Sequence, residues 1–126
     1  MNIHESAEDY LEAILILKER LGLVRSIDIV HERGYSKPSV SIAMKRLREN
    51  GYIEMDPAGY ITLLPPGEAI AQRIYERHRL LTEWLTALGV DPEVAREDAC
   101  RMEHDISAET FDCIRAHILR NGQKRN

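Results

Sequence analysis

Cys100, Glu103 and His104 stand together in the run Glu97-Asp98-Ala99-Cys100-Arg101-Met102-Glu103-His104-Asp105. On a helix, residues three and four apart share a face, so this spacing turns a thiol, a carboxylate and an imidazole to one side. These donors suit a borderline-soft divalent transition ion, which accepts sulfur, nitrogen and oxygen ligands together. One helix cannot surround an ion. The run is therefore half of a metal site, and the remaining ligands must come from elsewhere in the fold. A thiolate ligand also requires a reduced cysteine, and the two cysteines, Cys100 and Cys113, are too few for a disulfide framework. Cys113, alone in an apolar helical pattern, is expected in the core.

The run must be carried by a helix, and its surroundings supply one. Asp91-Pro92-Glu93 gives an N-cap, a first-turn proline and an early acid, all of which favour a helix start just before the run. A long helix is expected over 68–88, with Ile70, Ile74, Leu81, Leu85 and Leu88 on one stripe and Gly89 ending it. Ser107 caps a last helix bearing Phe111, Ile114, Ala116, Ile118 and Leu119, and 122–126 is expected to fray. Three helices this short carry more apolar surface than they can bury alone, which points to a homodimer. His78, in Arg77-His78-Arg79, reads from composition as a surface or satisfied interface histidine.

The first half of the chain has a different layout. A helix is expected over 5–20, where Ala7, Tyr10, Leu11, Ile14, Leu15 and Leu17 recur at helical spacing. Asp9 and Glu12 lie three apart on it; taken alone, they read as solvated acids near the positive end of a helix dipole. A short helix capped by Ser26 follows, broken by Gly34. Ser36-Lys37-Pro38-Ser39 opens a third helix to about Asn50, capped by Ser36 or Lys37, with Val40, Ala43, Met44 and Leu47 as its buried stripe. Strands over 52–55 and 60–63 flank Asp56-Pro57-Ala58-Gly59, which places the residues a type I turn favours at its first, second and fourth positions. Helix, short helix, basic-faced helix and hairpin in this order form a winged helix-turn-helix. The fold class is mainly α: a winged helix-turn-helix with a small β-hairpin wing over 1–66, then an all-helical metal-binding and dimerisation domain over 67–121, with Pro65-Pro66-Gly67 marking the boundary.

Composition sets the limits. The 126 residues are 44% hydrophobic, as is usual for a globular chain, and no apolar run approaches the ~18 residues of a membrane helix. The N-terminus has no basic-then-apolar leader pattern, so a cytoplasmic location is expected, with no membrane partner. A net charge of −4 argues against a nonspecific, histone-like DNA binder but permits a local basic patch. Such a patch is available on the third helix. Ser36, Lys37, Pro38, Ser39, Ser41, Lys45, Arg46 and Arg48 are the candidate DNA contacts, with the hairpin near Pro57 and Ala58 along the backbone.

With these residues in place, the chain resembles the metal-dependent repressors of the diphtheria-toxin-repressor and manganese-transport-regulator type. The resemblance covers nearly the whole sequence. It rests on Glu8-Asp9-Tyr10-Leu11-Glu12, Lys37-Pro38-Ser39-Val40-Ser41, Arg77-His78-Arg79-Leu80-Leu81 and, most specifically, Glu97 to His104. It implies a homodimeric repressor of metal-homeostasis genes that binds a roughly palindromic double-stranded operator and needs no organic cofactor. The metal, Mn(II) or Fe(II), would lie between the DNA-binding and dimerisation domains.

The same resemblance assigns the ligands. Asp9 and Glu12 match the manganese-responsive branch, where the iron-responsive branch has methionine at the first position. His78, Glu103 and His104 match ligands shared by both. Cys100 departs from the manganese type, which has glutamate there, and agrees with the iron type. Arg96 and Thr82 replace a histidine and a glutamate of the iron branch's ancillary site, so the resemblance does not extend to that site. The C-terminal SH3-like domain of longer members is not expected. Two other classes fit parts of the sequence: a metal-independent winged-helix regulator, with Asp9, Glu12 and His78 as surface residues, and a metalloenzyme, which would need a substrate cleft.

Overall fold

A computed structural model describes residues 5–124. The chain divides into two compact units, the first ending at Arg73 and the second starting at Ile74.

In the first unit, α1 (Glu5–Leu21) is followed by α2 (Ser26–Arg33), α3 (Lys37–Glu49), β1 (Ile53–Met55), β2 (Ile61–Leu63) and the start of α4 (Pro65–Ala87). Helix α1 packs against α2, α3 and β2. Its apolar stripe is buried as the periodicity requires, with Leu11, Ile14 and Leu17 facing a core completed by Ile29, Val40, Met44, Leu47, Ile53 and Ile61. Helices α2 and α3 meet across Gly34, whose φ of 71° is the left-handed conformation that ends a helix cheaply only at glycine.

The helix starts differ in how they are capped. Ser36 is the cap of α3, its Oγ accepting from the Ser39 N–H at 3.2 Å, which settles the choice between Ser36 and Lys37. For α2 the expected Ser26 cap is corrected: the cap is Arg25, and Asp28 reaches back to accept from its backbone N–H at 2.9 Å. A carboxylate at the third helical position satisfies the backbone donor of the cap residue itself.

The wing is a two-stranded antiparallel hairpin in which Ile53 faces Leu63 and Met55 faces Ile61. Gly59 N–H closes the turn on Asp56 O at 2.9 Å, and the Asp56 side chain accepts from Tyr60 N–H at 2.9 Å. The wing is pinned at its base, because Ile61 N–H donates to Val24 O at 2.8 Å and the Arg25 guanidinium lies 4.4 Å from the Tyr60 ring centre. Gly67 has a packing role: a Cβ there would run into the Tyr52 carbonyl oxygen.

The second unit holds the rest of α4, then α5 (Pro92–Asp105) and α6 (Ala108–Lys124). Asp91 caps α5 by accepting from Glu93 and Val94 N–H, and Ser107 caps α6 by accepting from Thr110 N–H at 3.1 Å. Leu81, Ala99 and Phe111 form the core, with Leu80, Trp84, Met102, Ile106 and Ile114 packed around them. Two expectations change here. Helix α6 continues through 122–124, while 125 and 126, also expected to fray, lie outside the described residues. Cys113 is exposed, because α6 buries the Phe111 and Ile114 side and position 113 lies about half a turn away from Phe111. Leu88, Val94 and Leu119 are exposed apolar side chains of this unit. No helix among the described residues is long and apolar enough to cross a membrane.

Candidate metal centre and nucleic-acid interface

Asp9 and Glu12 lie one turn apart on α1, yet they are not solvated. Their exposures are 7% and 2%, among the lowest of any charged residue here. A carboxylate removed from water must be matched by hydrogen bonds or opposite charge, since otherwise it stays protonated or returns to solvent. The helix-turn-helix supplies the match. Arg33, at the end of α2, places one guanidinium nitrogen 3.4 Å from Asp9 Oδ1 and the other 3.4 Å from Glu12 Oε1. Tyr35, in the turn before α3, donates its hydroxyl to Asp9 Oδ2 at 2.7 Å. Burial, followed by the Asp9 carboxylate, pushes the Tyr35 phenol well above its ordinary range, so the hydroxyl stays a donor. Its ring leans on Tyr10, with centres 5.0 Å apart.

In the second unit, α5 brings Cys100, Glu103 and His104 to one side, as the spacing requires. Cys100 and His104 each have a ligand atom within 4.8 Å of the other's. Glu103 has no solvent exposure, and its Oε2 lies 2.9 Å from Nδ1 of His78 on α4. Its other oxygen is 3.4 Å from His104 Nε2. His78 thus faces a buried carboxylate and is a satisfied, part-buried histidine rather than a fully exposed one. Arg77 fixes the end of α5: its Nη1 donates to Glu103 O at 3.0 Å and Ile106 O at 3.3 Å, while the guanidinium stacks 5.0 Å from the Phe111 ring centre. Thr82, one of the two departures from the ancillary site, donates to His78 O at 2.7 Å.

Each donor set fits a divalent cation by its chemistry. The first offers two buried carboxylates with hard oxygens; the second offers thiol, carboxylate and two imidazoles, a softer mixture. Neither set alone fills the coordination sphere of a six-coordinate metal.

The predicted reader helix is basic on its open face. Ser36, Lys37, Pro38, Ser39, Ser41, Lys45, Arg46 and Arg48 are all exposed, while Val40, Met44 and Leu47 turn into the core. Ile42 lies on the same open face at 54% exposure, and the sequence reading passed it over. An apolar side chain among cations is suited to the methyl group of thymine. The other overlooked residues are Arg33 and Tyr35, whose types carry no metal signal.

Comparison with known proteins agrees with this layout. Residues 2–60 match the N-terminal DNA-binding domain of the iron-dependent repressors, and residues 65–121 match the metal-binding and dimerisation domain of the same family. The transcriptional regulator MntR of Escherichia coli O6:H1 is 41% identical over 120 residues, covering 95% of this chain and 77% of its own length. The MntR of Geobacillus thermodenitrificans is 34% identical over 133 residues, covering 96% and 94%. Among solved structures, a manganese-dependent transcriptional repressor in complex with manganese superposes with a TM-score of 0.81 at 28% identity over 89% of this chain. This chain spans about half of that structure's length, 52%, and 54% of the manganese regulator SloR. With both domains matched in order and curated relatives aligned along almost all of its length, the chain belongs to the iron-dependent repressor family.

Proposed function

We propose that the chain is a metal-dependent transcriptional repressor that binds operator DNA as a homodimer and is activated by Mn(II) or Fe(II), with Mn(II) preferred. Asp9, Glu12, His78, Cys100, Glu103 and His104 are the proposed ligands. The observation that carries the reading is the burial of Asp9 and Glu12 on the helix that supports the reader. Arg33 and Tyr35 account for part of that burial, and two hard carboxylates one turn apart on this helix are the donors a divalent cation would use.

A bound divalent cation supplies positive charge and directed bonds to oxygen, nitrogen and sulfur. The rest of the mechanism belongs to the chain. Asp9 and Glu12 sit on α1, which packs against both α2 and α3, so fixing these carboxylates also fixes the scaffold of the reader helix. Neutralising them lowers the negative charge of a DNA-binding unit. The second unit supplies the other four donors together with the exposed apolar side chains suited to dimerisation. In a dimer the two reader helices must sit about 34 Å apart to enter successive major grooves, and the apo dimer samples other spacings. A ligand that favours the competent spacing shifts the population by its differential affinity alone.

The preference for Mn(II) rests on Asp9 and Glu12, two hard carboxylates, and on the manganese-bound relative. Cys100 pulls the other way, toward Fe(II), Co(II) and Zn(II). The test is metal analysis of the purified chain combined with binding to duplexes selected from a random library, in Mn(II), in Fe(II) under anaerobic conditions, and in chelator. Activation by Mn(II) at lower free concentration than Fe(II) is expected; binding indifferent to every metal would refute the reading.

A further inference from the structure

The Asp9–Glu12 pair already holds a cation that belongs to the protein. Arg33 faces both acids, one nitrogen to each, and its side chain is only 20% exposed. It also closes α2, immediately before the Gly34 turn that leads into the reader helix. The two contacts on Asp9 differ in kind. Tyr35 meets Oδ2 at 2.7 Å, a short hydrogen bond that orients the carboxylate. Arg33 meets Oδ1 at 3.4 Å, and Glu12 Oε1 also at 3.4 Å, well outside the about 2.7–2.9 Å of a locked guanidinium–carboxylate fork. Arg33 therefore offsets part of the acids' charge without gripping either of them.

From this geometry we infer that Arg33 is an internal counter-cation that competes with the metal for Asp9 and Glu12, and so sets the metal concentration at which the site fills. The inference rests on the metal-dependent reading above and deepens it. Without metal, two buried carboxylates repel each other, and Arg33 offsets part of their charge. Loading a divalent ion requires the same oxygens, so Arg33 must give way or remain as a repelling charge beside the ion. Either way its presence weakens metal binding while stabilising the apo protein. Tyr35 can keep its hold on Oδ2 in both states. An arginine that merely packs the turn makes a different prediction: its loss would weaken folding and metal binding together.

The opposite signs make the test. Mn(II) binding to the full chain is measured from the electron paramagnetic resonance of the free aqueous ion, for wild type, Arg33→Gln and Arg33→Lys, beside thermal melts of the apo proteins. Arg33→Gln should bind Mn(II) about threefold to fivefold more tightly, the upper scale of one partly exposed ion pair, while its apo form melts lower. Arg33→Lys, which keeps the charge, should stay within about twofold of wild type on the same grounds. Arg33→Gln binding no more tightly than wild type overturns the inference but leaves the metal-dependent reading standing; wild type that takes up no Mn(II) overturns both. A measurement on wild type alone guards against a variant that fails to fold. On saturation with Cd(II), a diamagnetic divalent ion, the Arg33 Nε–Hε resonance should shift, and a resonance that does not move also overturns the inference.

Discussion

The two donor sets bury negative charge by different means. On α1, Asp9 and Glu12 are held by Arg33 and Tyr35, neither of which is a proposed ligand. On α5, Glu103 is held by His78 and His104, both of which are. An arginine keeps its charge at any working pH, whereas imidazole can lose its proton and present a lone pair. On the proposed reading the first set is an acid pair with a resident competitor, and the second a group of candidate ligands that already lie against one another. The contrast suggests a division of labour: the second set supplies affinity, and the first reports occupancy to the DNA-reading unit.

The strongest challenge to this division is to remove one carboxylate from each set. Glu103→Gln should lower Mn(II) affinity by at least about 100-fold, since even supporting residues around metal sites are commonly worth 10- to 100-fold. Glu12→Gln should cost less in metal binding than in operator binding. Calorimetric titration with Mn(II) beside fluorescence anisotropy on duplex DNA separates the two. Equal losses in both assays for both variants would erase the distinction between the sets.

Metal choice is the next effect in size. Cys100→Glu makes the second set harder and should keep or sharpen the manganese response, while Asp9→Met makes the first set softer and should shift activation toward iron. A change of about tenfold in relative metal preference is expected from one soft-for-hard exchange. The comparison uses anaerobic titrations of operator binding with each metal; Cys100→Glu responding to iron but not to manganese would reverse the assignment of Mn(II).

Smaller effects should come from the reader helix, which stands outside both sets. Lys45→Ala or Arg46→Ala should leave Mn(II) uptake unchanged while weakening DNA binding. If the lost contact is to phosphate, the loss is uniform across sequences and the salt slope falls by about one; if it is to a base edge, discrimination at one position relaxes by about 1 to 3 kcal/mol. DNA binding unaffected by either change would mean that α3 is not the reader.

Local signals in the sequence were the most legible ones. Ser36 before Pro38, Asp91 before Pro92, Ser107 before α6 and Asp56 through Gly59 each act within four residues, and the structure uses them all. Ser26 misled because the helix starts at Ser26 itself, with Arg25 as its cap and Asp28 accepting from the Arg25 N–H. Cys113 misled because an apolar pattern gives the period of a helix more surely than its phase. The hidden part lay in long-range partners. Arg33 meets Glu12 across 21 positions of sequence and Tyr35 meets Asp9 across 26, and neither pairing leaves a trace in spacing. For that reason acids that read as solvated prove to be among the most buried charges of the described residues.

The central claim is that metal controls DNA binding without holding the dimer together. Sedimentation and anisotropy on one selected duplex, with Mn(II) and then with excess chelator, test it most directly. The apolar side chains offered for dimerisation, Leu88 and Leu119 among them, are not metal donors. A dimer that persists while its operator affinity falls by at least about tenfold is expected, the scale of a typical allosteric coupling. A dimer that binds undiminished in chelator, or one that falls to monomers, would contradict the account.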